Sequence, residues 1–127
     1  MSRRNALVGA AFALPVLVTA CAGSSHTAPS TTSTGVQQVT IDTTDQFRFA
    51  PATLRAHVGT LRIALTDHGS YPHNIAFSDL HSTSATVSGD PGQRQTTFTV
   101  RFTHAGTYDF VCTFHSSAGM SGRVTVS

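Results

Sequence analysis

A thiol, an imidazole and a thioether stand close together near the end of the chain, in Cys112-Thr-Phe-His115-Ser-Ser-Ala-Gly-Met120. Cys112 closes an alternating apolar run, His115 falls in the stretch after it, and Met120 precedes the last apolar pair. A loop of this length can fold its two ends and its middle around one point. A fourth donor has to come from elsewhere, and Tyr71-Pro72-His73-Asn74 opens another short run. Two imidazoles and a thiolate in a plane, with a weak axial thioether, suit a single copper ion that cycles between Cu(I) and Cu(II). Structural zinc prefers four strong tetrahedral ligands, and a thioether is a poor fourth. The expected ligands are therefore His73, Cys112, His115 and Met120, and the expected cofactor is one copper ion.

The elements that must position these residues read as strands. Val39 and Ile41 alternate with polar neighbours, and Phe47 and Phe49 repeat the pattern before Pro51. Leu61, Ile63 and Leu65 lie between Gly59 and the turn-rich Asp67-His68-Gly69-Ser70, and Ile75 and Phe77 follow. Phe98, Val100 and Phe102 alternate, Tyr108, Phe110 and Cys112 share a face, and Val124 and Val126 close the chain. Period-two runs broken by Gly, Pro and Asp predict an all-β fold, an antiparallel two-sheet sandwich. Residues 78–95 are polar and poorly patterned, and read as a long loop or a short helix.

The first third of the 127-residue chain has a different character. Met1-Ser-Arg-Arg-Asn5 is basic, and the apolar run from Ala6 to Val18 is too short for a stable span of about 20 residues. This is the pattern of an export signal, expected over 1–20. Val18-Thr19-Ala20-Cys21 resembles a bacterial lipobox, which makes Cys21 the expected site of lipidation. Arg3-Arg4 with Leu7 also resembles a twin-arginine signal, although Ala6 stands at its aromatic position. Residues 22–36 are almost all Ala, Gly, Ser, Thr and Pro, so 21–36 reads as a lipidated cysteine and flexible tether, with the folded domain over 37–127. The protein is then anchored to the membrane from outside the cytoplasm. With Cys21 acylated, Cys112 has no disulfide partner, and a lone thiol in an oxidising compartment is expected to be buried or metal-bound.

Charge and composition exclude several classes. All eight basic residues are Arg, two of which leave with the signal, and the remaining six face six Asp. A near-neutral domain has no electrostatic footprint for nucleic acid. There is no Glu, and no paired carboxylates, Ser/His/Asp set or phosphate loop stands out, so no enzyme activity is expected. His26, His57, His68, His81 and His104 lie in the tether or near turns without a ligand set around them.

The segment from Tyr108 to Val126, with its Cys112–His115 and His115–Met120 spacings, resembles the copper loop of the cupredoxins, in the plastocyanin-like form. Pro72-His73-Asn74-Ile75-Ala76-Phe77 is similar to the family's segment bearing the first histidine. The resemblance implies a Greek-key sandwich of about eight strands with one copper at one end, held by His73, Cys112, His115 and Met120. It also implies a hydrogen bond from Asn74 to Thr113 tying the ligand segments together, and a Gly119 whose missing Cβ lets backbone approach Met120. His115 would show a ring edge through an apolar patch that includes Pro72, Ser117 and Ala118, giving electrons an exit. The implied function is transfer of single electrons between extracytoplasmic redox proteins by a monomer. The alternative is capture, storage or delivery of copper at the cell surface; a sandwich serving only adhesion would not need the complete ligand set. Two departures bear on docking: Val111 stands where plastocyanins with acidic patches carry tyrosine, and residues 78–91 contain only Asp79 and Asp90. Transfer through the His115 end is the expected route.

Overall fold

The computed structural model describes residues 29–31 and 35–127. In chain order its strands are β1 (Ser30–Thr31), β2 (Gln37–Thr44), β3 (Arg48–Ala50), β4 (Thr53–Ala56), β5 (Gly59–Asp67), β6 (Ala76–Phe77), β7 (Ser82–Thr83), β8 (Gln95–Phe102), β9 (Gly106–Val111) and β10 (Ser121–Val126). One sheet runs β1-β2-β5-β8 with β3 also on β2, and the other runs β4-β10-β9-β6-β7. The fold is an all-β two-sheet sandwich, with ten strands among the described residues where about eight were expected, three of them only two residues long. Among the described residues no helix is long and apolar enough to cross a membrane. The export signal at 1–20 and Cys21 lie outside the described residues. Of the stretch read as tether, Ser30–Thr31 pairs with Gln37 and Gln38 at the edge of the first sheet.

The sheets form because successive strand side chains point to opposite faces, which sorts each run into an inner and an outer set. Val39 and Ile41 of β2, Leu61, Ile63 and Leu65 of β5, and Val100 and Phe102 of β8 face inward from one sheet. Leu54, Ala56, Phe77, Phe110, Val124 and Val126 face them from the other. Each fully buried Leu, Ile or Phe contributes roughly 1.5–3 kcal/mol relative to an exposed one.

The expectation of a purely antiparallel sandwich needs correction. β2 and β5 run parallel, as do β4 and β10, while the other pairings are antiparallel. Alternation reports which face of a strand is buried and is silent on the direction of its neighbour. Here the chain leaves β2, crosses through β3 and β4 to the second sheet, and returns to lay β5 beside β2. The crossover is the connection that a parallel pair requires.

Residues 78–95 hold a 3₁₀ turn at Ser78–Leu80 and the short strand β7. They also provide the clamp on the first histidine. His73 and Val87 exchange both backbone hydrogen bonds at 2.9 Å, and Ser84 bonds Ile75 through both its N–H (2.8 Å) and its Oγ (2.9 Å). A polar segment without pattern in the sequence thus fixes the backbone on both sides of Asn74.

Candidate metal centre

β9 delivers Cys112 at its end, and β10 begins just after Met120, so strand pairing brings the ends of the intervening loop together. The loop is closed by backbone bonds: Cys112 N–H donates to Met120 O (3.0 Å) and Met120 N–H to His115 O (3.2 Å). Between them Ser116–Ala118 form a single 3₁₀ turn. Gly119 ends it at φ +80, a left-handed conformation that suits a residue without Cβ. The expected reason for this glycine, close approach of backbone near Met120, needs correction. A Cβ built there meets nothing within 4 Å, so the requirement is conformational and not steric.

Three donor side chains converge. His73 Nδ1 lies 3.9 Å from Cys112 Sγ, His115 Nδ1 lies 3.7 Å from the same sulfur, and one donor atom of each residue fits within a 4.8 Å group. His73 and Cys112 are fully buried, and His115 is half-buried. A first-row ion bonded at about 2.0 Å to nitrogen and 2.3 Å to thiolate, with an N–M–S angle of roughly 120–130°, spans about 3.7–3.9 Å between those donors. The spacing thus leaves room for one ion that all three side chains could hold. Met120 is fully buried at the end of the same loop.

Burial lowers the pKa of His73 from the usual value of 6.5, Asp67 raises it and His115 lowers it further, and the outcome is a depressed value. A neutral imidazole is the form that binds a metal.

The side chains around the cluster link the ligand segments. Asn74 Nδ2 donates to Thr113 Oγ1 at 2.9 Å, and its Oδ1 accepts from Thr113 N–H (2.9 Å) and Oγ1 (3.2 Å). Pro72 is half-buried, while Ser117 and Ala118 are exposed beside His115 in the chain. The large exposed apolar side chains here are Tyr71 and Phe114, with ring centroids 6.3 and 6.4 Å from that of His115.

Two neighbours of the cluster were missed from sequence. Phe47 was read as a strand residue matching Phe49, but it sits in the turn between β2 and β3 at φ +55. Its ring stacks on His115 at 4.2 Å and 21° and also meets Tyr71 at 5.5 Å. Asp45 carries this turn to the ligand end, its carboxylate accepting from Ser70 N–H (2.7 Å) and Tyr71 N–H (3.3 Å) across 25 and 26 residues. Those bonds, Ser70 first, hold the Asp45 pKa below its ordinary value. Gly69 is required beneath the same contact, because a Cβ there would lie 2.9 Å from Asp45 N and overlap the carboxylate. Asp67 was read as a turn residue, yet it continues the inward parity of Leu61, Ile63 and Leu65 and is fully buried.

Comparison with known proteins agrees with this geometry. A family model described as copper binding proteins of the plastocyanin/azurin family matches residues 36–127. Plastocyanin of Sambucus nigra is 35% identical over 77 residues, covering 52% of this chain and 75% of its own length. A mutant fern plastocyanin, solved in oxidized and reduced forms, matches with a TM-score of 0.55 and 26% identity over 70% of this chain and 100% of the other. The metal-binding domain of the Cu(I)-exporting P-type ATPase CopA of Streptococcus pneumoniae D39 has a TM-score of 0.64 over 81% of this chain and 96% of its own, a likeness of fold at 16% identity. With one cysteine sulfur and two imidazoles gathered around a space for one ion, and with this match over residues 36–127, the chain belongs to the plastocyanin/azurin family of copper-binding proteins.

Proposed function

We propose that the protein carries single electrons between redox proteins outside the cytoplasm through a mononuclear type 1 copper site, and that it is a monomer rather than an enzyme. The carrying observation is the buried Cys112 sulfur flanked by His73 and His115 nitrogens at 3.9 and 3.7 Å. Met120, buried at the end of the same loop, would supply the fourth ligand as a weak thioether donor. When bound, copper supplies a one-electron couple whose two states both accept this mixed sulfur and nitrogen donor set.

The residues around it favour retention of the ion and a short exit for the electron. Cys112 and His73 are shut from solvent, and Asn74 and Thr113 hold the two ligand segments in one register. His115 is the ligand nearest the surface, and Tyr71, Pro72, Phe114, Ser117 and Ala118 make the proposed docking face around it. That face carries no acidic cluster, so it suits a partner of low charge, approached closely rather than steered from afar. The Cys21 lipid anchor and the tether would keep this domain near membrane-bound partners.

Copper-loaded protein should be intensely blue, and Cys112→Ser should abolish the colour even where copper remains. Stoichiometric Cu(II) in a colourless wild-type protein refutes the type 1 assignment. Electron self-exchange and chelator-driven copper loss, measured on the same samples, separate a carrier from a protein that captures or delivers copper. Slow exchange with rapid copper loss would favour delivery. Labelling of cells with a fatty-acid analogue, lost in Cys21→Ser, tests the anchor.

A further inference from the structure

Asp67 is the one buried carboxylate among the described residues, with neither it nor the His73 ring exposed to solvent. Its Oδ1 accepts from Thr43 Oγ1 (3.2 Å) and Gly69 N–H (2.9 Å), and its own N–H donates to Arg94 O (2.8 Å). These bonds hold the acid in place. Its other oxygen, Oδ2, has no hydrogen-bond partner, and neither does His73 Nε2. The two side chains face each other, with Nε2 3.9 Å from Oδ1.

Two buried polar atoms left unpaired on facing side chains are costly, about 1–3 kcal/mol each. A gap of 3.9 Å exceeds a hydrogen bond, but a shift of about an ångström or one bridging water closes it. The opposite nitrogen of the ring, Nδ1, faces Cys112. A ring that binds metal through Nδ1 carries its proton on Nε2, the atom beside Asp67.

We propose that Asp67 is a positioning residue of the copper site: it accepts Nε2–H of His73, fixes the tautomer that frees Nδ1 for the metal, and places negative charge behind that ligand. An acceptor behind a metal-bound imidazole raises its basicity, and its loss costs about 10–100-fold in metal affinity. Negative charge favours the higher oxidation state, so Asp67 strengthens Cu(II) binding more than Cu(I) binding. The proposal rests on the copper reading for its second half only, because the tautomer is set in the metal-free protein.

The test is Asp67→Asn, nearly the same in shape. Thr43 and Gly69 would keep the amide oxygen at the Oδ1 position, so the ring would face a neutral and weaker acceptor, with an N–H donor in place of the unpartnered Oδ2. Nitrogen-15 NMR of neutral His73 in metal-free wild type should show the Nε2–H tautomer, and the variant should shift toward Nδ1–H. With copper, Cu(II) affinity should fall about 10–100-fold. A loss tenfold greater for Cu(II) than for Cu(I) appears as a rise of about 59 mV in reduction potential. Thr43→Val removes a donor to the carboxylate but keeps its charge; it should retain the tautomer and show no rise in potential. Nδ1–H in the wild type, an unchanged tautomer in Asp67→Asn, or equal shifts in both variants would overturn the proposal. The wild-type measurement decides even if a variant does not fold.

Discussion

Replacing Asn74 with alanine cuts the side-chain link between the two segments that bear the ligands. The structure gives its size. Two bonds of 2.9 Å disappear, one to the Thr113 backbone and one to its hydroxyl, together with the longer 3.2 Å contact. A hydrogen bond of this kind is worth about 1 kcal/mol net. Thr113 is exposed, so water replaces the partners that its N–H and hydroxyl lose. No desolvation penalty is added, and the expected loss is about 2 kcal/mol. For a domain of this size that corresponds to roughly 8–16 °C in melting temperature. Thr113→Ala keeps the backbone bond to Asn74 and should cost about half as much. The double variant should cost no more than Asn74→Ala alone, because the hydroxyl has already lost its partner, giving a coupling of about 1 kcal/mol.

Urea unfolding of the metal-free variants measures these differences. Chelator-driven copper release from the loaded protein measures the functional side, and Asn74→Ala should release copper at least about tenfold faster. A change below about 0.5 kcal/mol, with unaltered release, would refute the reasoning. It would mean that the paired backbone of His73 and Val87 places the first histidine unaided.

Met120→Gln should keep a coloured, copper-bound site and lower its reduction potential, while Met120→Leu should raise it, because a weak axial ligand tunes the metal without creating the site; loss of copper from both, seen by metal analysis, would refute this. The metal-free protein should lose stability as pH falls below about 6.5. Burial depresses the pKa of folded His73, so below the ordinary histidine value the unfolded chain binds a proton that the folded chain refuses. This group contributes a slope of at most about 1.4 kcal/mol per pH unit until the lowered folded value is passed, and urea unfolding at several pH values, compared with copper-loaded protein, reads it.

The loop that carries the candidate ligands Cys112 and His115 and the proposed ligand Met120 was legible in sequence because all three belong to one strand–loop–strand unit, whose spacing alone confines them. His73 and its neighbour Asn74 were legible through a second short segment with a similar local pattern. Alternation also identified most of the core, since period two reports burial directly. It failed where one residue left the pattern for a reason outside its own strand. Phe47 keeps the parity of Phe49 but lies in a turn, and what directs its ring to His115 is the long-range bonding of Asp45 to Ser70 and Tyr71. Asp67 failed in the opposite way. Its parity was inward, yet its residue type argued for a turn, and nothing local shows that Thr43 and Gly69 would satisfy one of its oxygens. The parallel pairs were hidden for the same reason, because strand direction is a property of the crossover and not of the strand.

These misses share a place in the molecule. The sheet ladders hold the middle of the sandwich and reach the ligand end, where Thr43 pairs with Asp67 and Ala76 with Val111. Side chains add further joins there: Asp45 to Ser70 and Tyr71, Thr43 to Asp67, and Asn74 to Thr113. Each join connects residues at least 24 positions apart in sequence. Such joins fix the donors before any metal arrives, and a site shaped in advance needs little rearrangement when the ion changes oxidation state. The stacked Phe47 fits the same logic, since it restrains His115, the one candidate ligand ring that reaches the surface. Asp45, Phe47 and Asp67, the residues least legible in sequence, thus join the expected Asn74–Thr113 link in making this end rigid, and rigidity here is what the proposed electron transfer requires.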